Sequence, residues 1–232
     1  MKILAFDCSG AGICAAVTDD EKLLGEAVLQ SEVKHSVTLL PAIETLMSSC
    51  GVSMADIDVF AVTAGPGSFT GVRIGVSLLK GLAFGSNKPC ISVSSLEALA
   101  YNLRGLDGVY VPVMDARRGQ FYNALFDGEK RLCEDRLITA EKLTEELEEL
   151  GRIAYLCGDG SDIAQKLVTY GNLKIAPERL TCMSGYSVAM CALNNYKNGV
   201  GMYTDTNIKP LYLRKSQAER EREERIKNND NR

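Results

Sequence analysis

Three short apolar runs open the chain, KILAFD, GICAAVTD and KLLGEAVL, separated by turn-like breaks. Runs of that length between turn signals predict strands. A helix is predicted over about 36–50, where Leu39, Leu40, Ile43 and Met47 stand at helical spacing. The strand VFAVTAG, a helix over about 70–84, the strand CISV and a helix over 95–103 follow. After the linker-like NLRGLDG the order begins again. VYVPVMDA, QFYNALF and KRLCEDRLIT read as strands, AEKLTEELEEL as a helix, IAYLCG as a strand and SDIAQKLVTY as a helix striped by Ile163, Ala164, Leu167 and Val168. The helix GYSVAMCALNNYKNG closes this second unit. No residues repeat between the halves, but the element order does, and that order restricts the fold to two successive α/β units. The expected division is an N-terminal lobe over 1–104, a C-terminal lobe over 105–204, and a return segment with a charged tail over 205–232. Pro41 lies within the first predicted helix, which therefore kinks there or starts late.

A chain of 232 residues is long enough to bury such a core. Its net charge of −4 provides no global basic field, so tight nucleic-acid binding by the chain alone is not expected. No apolar run reaches the length of a membrane span, and MKILAFDCSG is too short and too soon acidic for a signal peptide, which points to the cytoplasm. The 8 cysteines are scattered without a CxxC pair and are read as reduced thiols, mostly buried. The mixed-sign run after IKPLYL reads as a solvated helix fraying into a tail.

Candidate chemistry is sparse. Asp7 and Ser9, in the turn after the first strand, are residues that can orient a metal and a phosphate; a plain hairpin turn uses the same residues for local backbone bonds. AGPGSFTGVRIGVSLLKG resembles a phosphate loop in its glycines, and Ser68 or Thr70 can cap its helix. No Lys follows in the GxxxxGK[ST] order, so it is not a P-loop. Gly71 and Gly75, with Ser77 and Gly81 nearby, leave a narrow side on that helix. Several glycines at about 1 kcal/mol each need a reason, which is close packing inside the core, close packing at an interface, or an anion. Arg117 and Arg118 sit in a turn and suit a phosphate or a partner carboxylate, or form a charged hairpin tip. The single histidine, His35, excludes an HExxH zinc site and leaves little for nucleophilic catalysis, so no catalytic residue and no metal ligand is assigned.

The blocks ILAFDCSGAGICAAV, KHSVTLLPAIETLM, AGPGSFTGVRIGVSLLKGLA, ISVSSLEALA, PVMDARRGQFYNALF and PLYLRKSQAE stand in an order that resembles the bacterial TsaB (YeaZ) family across nearly the whole chain. The resemblance implies a two-lobed fold of the actin, heat-shock-70 and sugar-kinase type (ribonuclease H-like). It also implies a part in N6-threonylcarbamoyl modification of adenosine beside the anticodon, in tRNAs that read codons beginning with A. In that family the protein is a non-catalytic partner of TsaD, which transfers the threonylcarbamoyl group. The ATPase TsaE supports turnover with ATP, so no cofactor is assigned to this chain. The paralogue's HxxxH metal motif matches VSSLEALA here, with Ser95 and Leu99 in place of the two histidines.

The resemblance places the partner surface on the first helix and the GPGSFTG helix. It is expected to include His35, Leu39, Ile43, Met47, Gly71, Arg73, Gly75, Val76, Leu79, Lys80 and Ala83, with the glycines serving close packing against TsaD. Self-association as a homodimer is expected when the partner is missing. Asp7 and Ser9 stand as a candidate vestigial nucleotide site, and Arg117 and Arg118 as a candidate contact to tRNA or partner. The competing expectation is a small ATP-dependent phosphotransferase or ATPase of the same fold, supported by Asp7-Cys8-Ser9 and the later CGDG. A peptidase is the third.

Overall fold

A computed structural model describes residues 1–30 and 33–214. The predicted charged tail falls largely outside these residues. The first lobe contains β1 (Lys2–Asp7), β2 (Ile13–Asp19), β3 (Lys22–Leu29), α1 (His35–Cys50), β4 (Val59–Gly65), α2 (Phe69–Ala83), β5 (Cys90–Ser94) and α3 (Ser95–Tyr101). The second contains β6 (Val109–Asp115), β7 (Gln120–Asn123), β8 (Phe126–Asp127), β9 (Lys130–Arg131), β10 (Arg136–Thr139), α4 (Ala140–Leu150), β11 (Ala154–Cys157), α5 (Ser161–Leu167), β12 (Leu173–Ile175) and α6 (Glu178–Thr181). Two further elements follow, α7 (Gly185–Asn198) and β13 (Met202–Tyr203).

The two sheets repeat one topology. In the first the order is β13-β5-β4-β1-β2-β3, with β1–β2 and β2–β3 antiparallel and β1–β4 and β4–β5 parallel. In the second it is β10-β7-β6-β11-β12, with the same alternation of antiparallel and parallel pairs. This is the two-lobed actin and sugar-kinase architecture that the element order and the resemblance predict. The predicted strand KRLCEDRLIT is broken. Its start forms β9, paired with β8 off the main path, and its end forms β10.

The strand β1 shows why the first sheet needs helices on both faces. Leu4 and Phe6 point into a core with Leu39, Ile43, Val72, Val76 and Leu79 of α1 and α2. Ile3 and Ala5, at the alternate positions, face Val188, Ala189 and Ala192 of α7. Here one expectation fails: α7 does not close the second unit but returns to cover the open face of the first sheet. Its small residues permit this, since a Cβ on Gly185 would come within 2.5 Å of the Ala15 carbonyl carbon. β13 then pairs with β5 through Met202 and Ile91.

The helix α1 starts well ahead of Pro41 and continues through it, with the proline on the exposed side. On α5 only Ala164 and Val168 of the expected stripe are buried, while Ile163 and Leu167 are exposed. Among the described residues, no helix is long and apolar enough to cross a membrane.

Candidate functional site

The glycine-rich start of α2 is shaped by the chain's own first turn. Ser68 caps the helix, its Oγ accepting from the Gly71 amide at 3.3 Å. The Ser68 amide donates to the Ser9 carbonyl at 2.8 Å. A Cβ on Gly67 would lie 2.5 Å from that carbonyl oxygen, and one on Gly71 would fall on the carbonyl oxygen of Cys8. In return the Cys8 thiol donates to the Gly71 carbonyl at 2.9 Å. A Cβ on Gly75 would meet Val62 Cγ2 at 3.1 Å and Cys8 Sγ at 3.2 Å. Of the packing expectations, core packing therefore accounts for Gly71 and Gly75; they are buried against this chain and are not open to a partner. Gly81 alone of the helical glycines stands in open space.

The expected partner surface is corrected in the same way. Leu39, Ile43, Met47, Val76, Leu79 and Ala83 are buried in the first core, because these helices turn their larger apolar stripe to the sheet. His35, Arg73 and Lys80 remain accessible, each holding the chain's own structure. His35 Nε2 lies 3.2 Å from the Ala11 carbonyl, Arg73 Nε donates to Tyr212 Oη at 2.7 Å, and Lys80 Nζ donates to the Thr206 carbonyl at 3.3 Å. The outward apolar residues are others. Val37 is 61% exposed and Phe84 82%, with Leu40 also exposed, while Ile74 and Leu78 are half-buried and pack against the first core. Their signal was present in the sequence: both helices carry apolar residues on more than one face.

Asp7 sits at the end of β1, buried. Its Oδ1 accepts from the Ser9 amide at 2.9 Å, from Ser9 Oγ at 2.5 Å and from Thr63 Oγ1. Burial pushes its carboxyl above the usual aspartate value, against the lowering effect of those donors. Asp7 and Ser9 are thus brought together and bonded to one another within the turn.

Across from this turn lies the second lobe. A Cβ on Gly10 would meet Asp159 Oδ2 at 3.4 Å and Met114 Cε at 3.6 Å. A recess of about 230 Å³ is lined by Asp7, Ile13, Leu99, Met114, Asp159 and Met183. Beside it opens a larger cleft of about 700 Å³, whose walls include Ser9, Ser68, Arg73, Arg117, Arg118 and Arg214. Burial also raises the Asp159 carboxyl. Arg117 and Arg118 form the tip between β6 and β7, with φ of 67° and 59° in the left-handed region.

Burial holds the Cys8, Cys14, Cys157 and Cys191 thiols well above the ordinary thiol value, so they stay protonated. Ser95 and Leu99, at the positions matched to the paralogue's histidines, are buried in α3. Among the described residues, no group of three or more His, Cys, Asp or Glu side chains is placed to hold a metal ion.

The chain matches a family model described as "TsaD: tRNA N6-adenosine threonylcarbamoyltransferase" over residues 29–220. It is 36% identical to the tRNA threonylcarbamoyladenosine biosynthesis protein TsaB of Bacillus subtilis (strain 168) over 172 residues, 72% of this chain and 75% of that protein. It is 26% identical to the Escherichia coli (strain K12) protein of the same name, over 94% of this chain and 96% of that one. YeaZ from Pseudomonas aeruginosa superposes with a TM-score of 0.78 at 22% identity, over 91% of this chain and 99% of that chain. The GPGSFTG and DARRGQFY blocks, the duplicated sheet order and these relatives agree: the chain belongs to the TsaB (YeaZ) family.

Proposed function

We propose that this chain is a non-catalytic subunit in tRNA threonylcarbamoyladenosine biosynthesis, holding TsaD in its active arrangement. TsaE and ATP support turnover, and tRNA is engaged through the complex. Family membership supports the pathway. The partner role rests on one observation: α1 and α2 lie side by side on the first sheet and leave Val37, Leu40 and Phe84 outward. That apolar side has the character of a helix–helix docking face, and in the absence of the partner it would join two copies of the chain. In this reading the first lobe carries the partner.

The test is reconstitution from purified components: unmodified tRNA, a threonylcarbamoyl-adenylate source, TsaD, TsaE and ATP, with and without this chain. Modified adenosine should appear only when both TsaD and this chain are present. Val37→Glu with Leu40→Glu should abolish co-elution with TsaD and the modification together, while the variant keeps its thermal unfolding midpoint. ATP hydrolysis by the chain alone, lost in Asp7→Asn, would instead establish the phosphotransferase reading.

A further inference from the structure

The cleft of about 700 Å³ between the lobes is rimmed by Arg73 from α2, Arg117 and Arg118 from the β6–β7 tip, and Arg214 from the return segment. This gathers positive charge in a chain whose net charge is −4. Of the described arginines away from the cleft, Arg104, Arg131, Arg136 and Arg152 are each paired with a carboxylate, and Arg179 is not. At the cleft only Arg117 is, through Asp115 at 3.3 Å. Arg73, Arg118 and Arg214 have no carboxylate within ion-pair distance among the described residues.

The arginines are positioned by structure. Arg73 lies over the rings of Phe69 and Tyr212, at 5.6 and 5.5 Å from their centroids, and its Nε is bonded to Tyr212 Oη. Arg214 Nη1 donates to the Ala116 carbonyl at 2.8 Å, tying the return segment to the hairpin. The hairpin itself turns through left-handed backbone at Arg117, Arg118 and Gly119, conformations that asparagine and glycine adopt with less strain. Two arginines occupy them instead. The opposing acids are committed: Asp115 accepts from the Arg117 amide at 2.7 Å and Asp159 from the Asp115 amide at 3.3 Å. Burial also shifts Asp159 toward its neutral form.

Phe69 and Tyr212 stack at 4.6 Å with an interplanar angle of 11°, and Tyr212 remains exposed. Guanidinium groups beside an accessible aromatic stack form the combination that takes ribose-phosphate backbone together with an unpaired base. An acidic peptide needs only the charges.

We propose that this cleft is an RNA-binding site, with Arg73, Arg118 and Arg214 contacting phosphodiesters and the Phe69–Tyr212 stack receiving an unpaired base. It rests on the proposed role in tRNA modification and assigns to this chain a direct share of the RNA contact. The site works within the complex, because a chain of net negative charge holds RNA weakly alone.

The experiment is fluorescence anisotropy of an unmodified tRNA transcript titrated with the complex of this chain and TsaD, across a salt series. Arg73→Gln with Arg118→Glu should weaken binding about tenfold or more, the scale of a lost charge-assisted contact. The slope of log K against log salt should fall by about one per arginine removed. Arg179→Glu, on an exposed helix away from the cleft, should leave both unchanged. Tyr212→Ala should lower affinity without changing the salt slope. Unaltered affinity and slope in the double variant would overturn the proposal. So would loss of the protein complex itself, which would make the cleft a contact for an acidic protein segment. Anisotropy reads binding whether or not modification occurs. An inactive native complex would therefore refute the proposed function, and an active complex indifferent to these arginines would refute only the RNA site.

Discussion

Substituting alanine for the glycines of α2, one at a time, tests why they are there. In an exposed helix interior Gly→Ala is worth about 1 kcal/mol in favour of the folded chain. Gly81 has nothing within 4 Å of an added Cβ, so Gly81→Ala should realise that gain. In a protein of this size it raises the melting midpoint by about 2–4 °C. At Gly75 the added carbon stands 3.1 Å from Val62 Cγ2 and 3.2 Å from Cys8 Sγ, closer than ordinary van der Waals contact by a few tenths of an ångström. The helix gain and the crowding then oppose each other at similar size, so Gly75→Ala should change stability by less than about 1 kcal/mol. At Gly71 the obstacle is the Cys8 backbone carbonyl, fixed by β1, and the Cys8–Gly71 hydrogen bond must be lost as the helix moves away. Overpacking of about 1–3 kcal/mol plus a lost bond of about 1 kcal/mol outweighs the propensity gain, leaving a net loss of about 1–3 kcal/mol. Urea unfolding followed by circular dichroism at 222 nm, a wavelength at which helix dominates, reads all three. Equal stability of the Gly71→Ala and Gly81→Ala variants would show that the glycines are not explained by packing against Cys8.

Asp7→Asn should stabilise the chain at pH 7, since asparagine keeps an oxygen for Ser9 and Thr63 without the cost of a buried charge. The carboxyl's folded pKa is raised, so its penalty is absent below the unfolded value near 3.9 and present above the folded one. The variant's advantage should shrink as pH falls toward about 4, and a variant less stable than the native chain at pH 7 would contradict this. Arg118→Gly relieves left-handed strain of about 1–2 kcal/mol against about 0.4–1 kcal/mol of added unfolded-state entropy, for a net gain of roughly 0.5–1 kcal/mol in thermal unfolding. The same variant should bind tRNA less well in the complex, so stability and affinity move in opposite directions.

The fold was legible because strands buried on both faces and helices with one apolar stripe are local patterns, and their order occurs twice. What local pattern does not encode is which sheet a late helix covers. The helix α7 lies in sequence after the second lobe, but its Gly185, Ala189 and Ala192 match the alanines of β1 and β2, a fit between segments far apart in the chain. The candidate site was partly legible for a related reason. Helical spacing located α1 and α2 but not which face turns inward, so Leu39, Ile43 and Leu79 were assigned to a partner when they face the sheet. Arg117 and Arg118 stood out as a pair. Their convergence with Arg73 and Arg214 depends on the return segment docking through the Leu211 amide on the Ala64 carbonyl at 2.6 Å, which no motif announces.

The helix α2 ties these features into one mechanical unit. Its inner side is pressed onto the Cys8–Ser9 turn, with Gly67 and Gly71 leaving no room for a side chain. Its C-terminal end carries Phe84 toward the proposed partner face, and Arg73 in its first turns lines the cleft. A displacement of this helix therefore moves the docking face and the cleft wall together. Gly71→Ala, which forces such a displacement, should weaken both association with TsaD and the tRNA affinity of the complex that still forms. Gly81→Ala leaves the inner contact intact and adds a methyl group on the outward side, so it should affect docking alone. If Gly71→Ala impaired only one of the two functions, α2 would not be the rigid link between them.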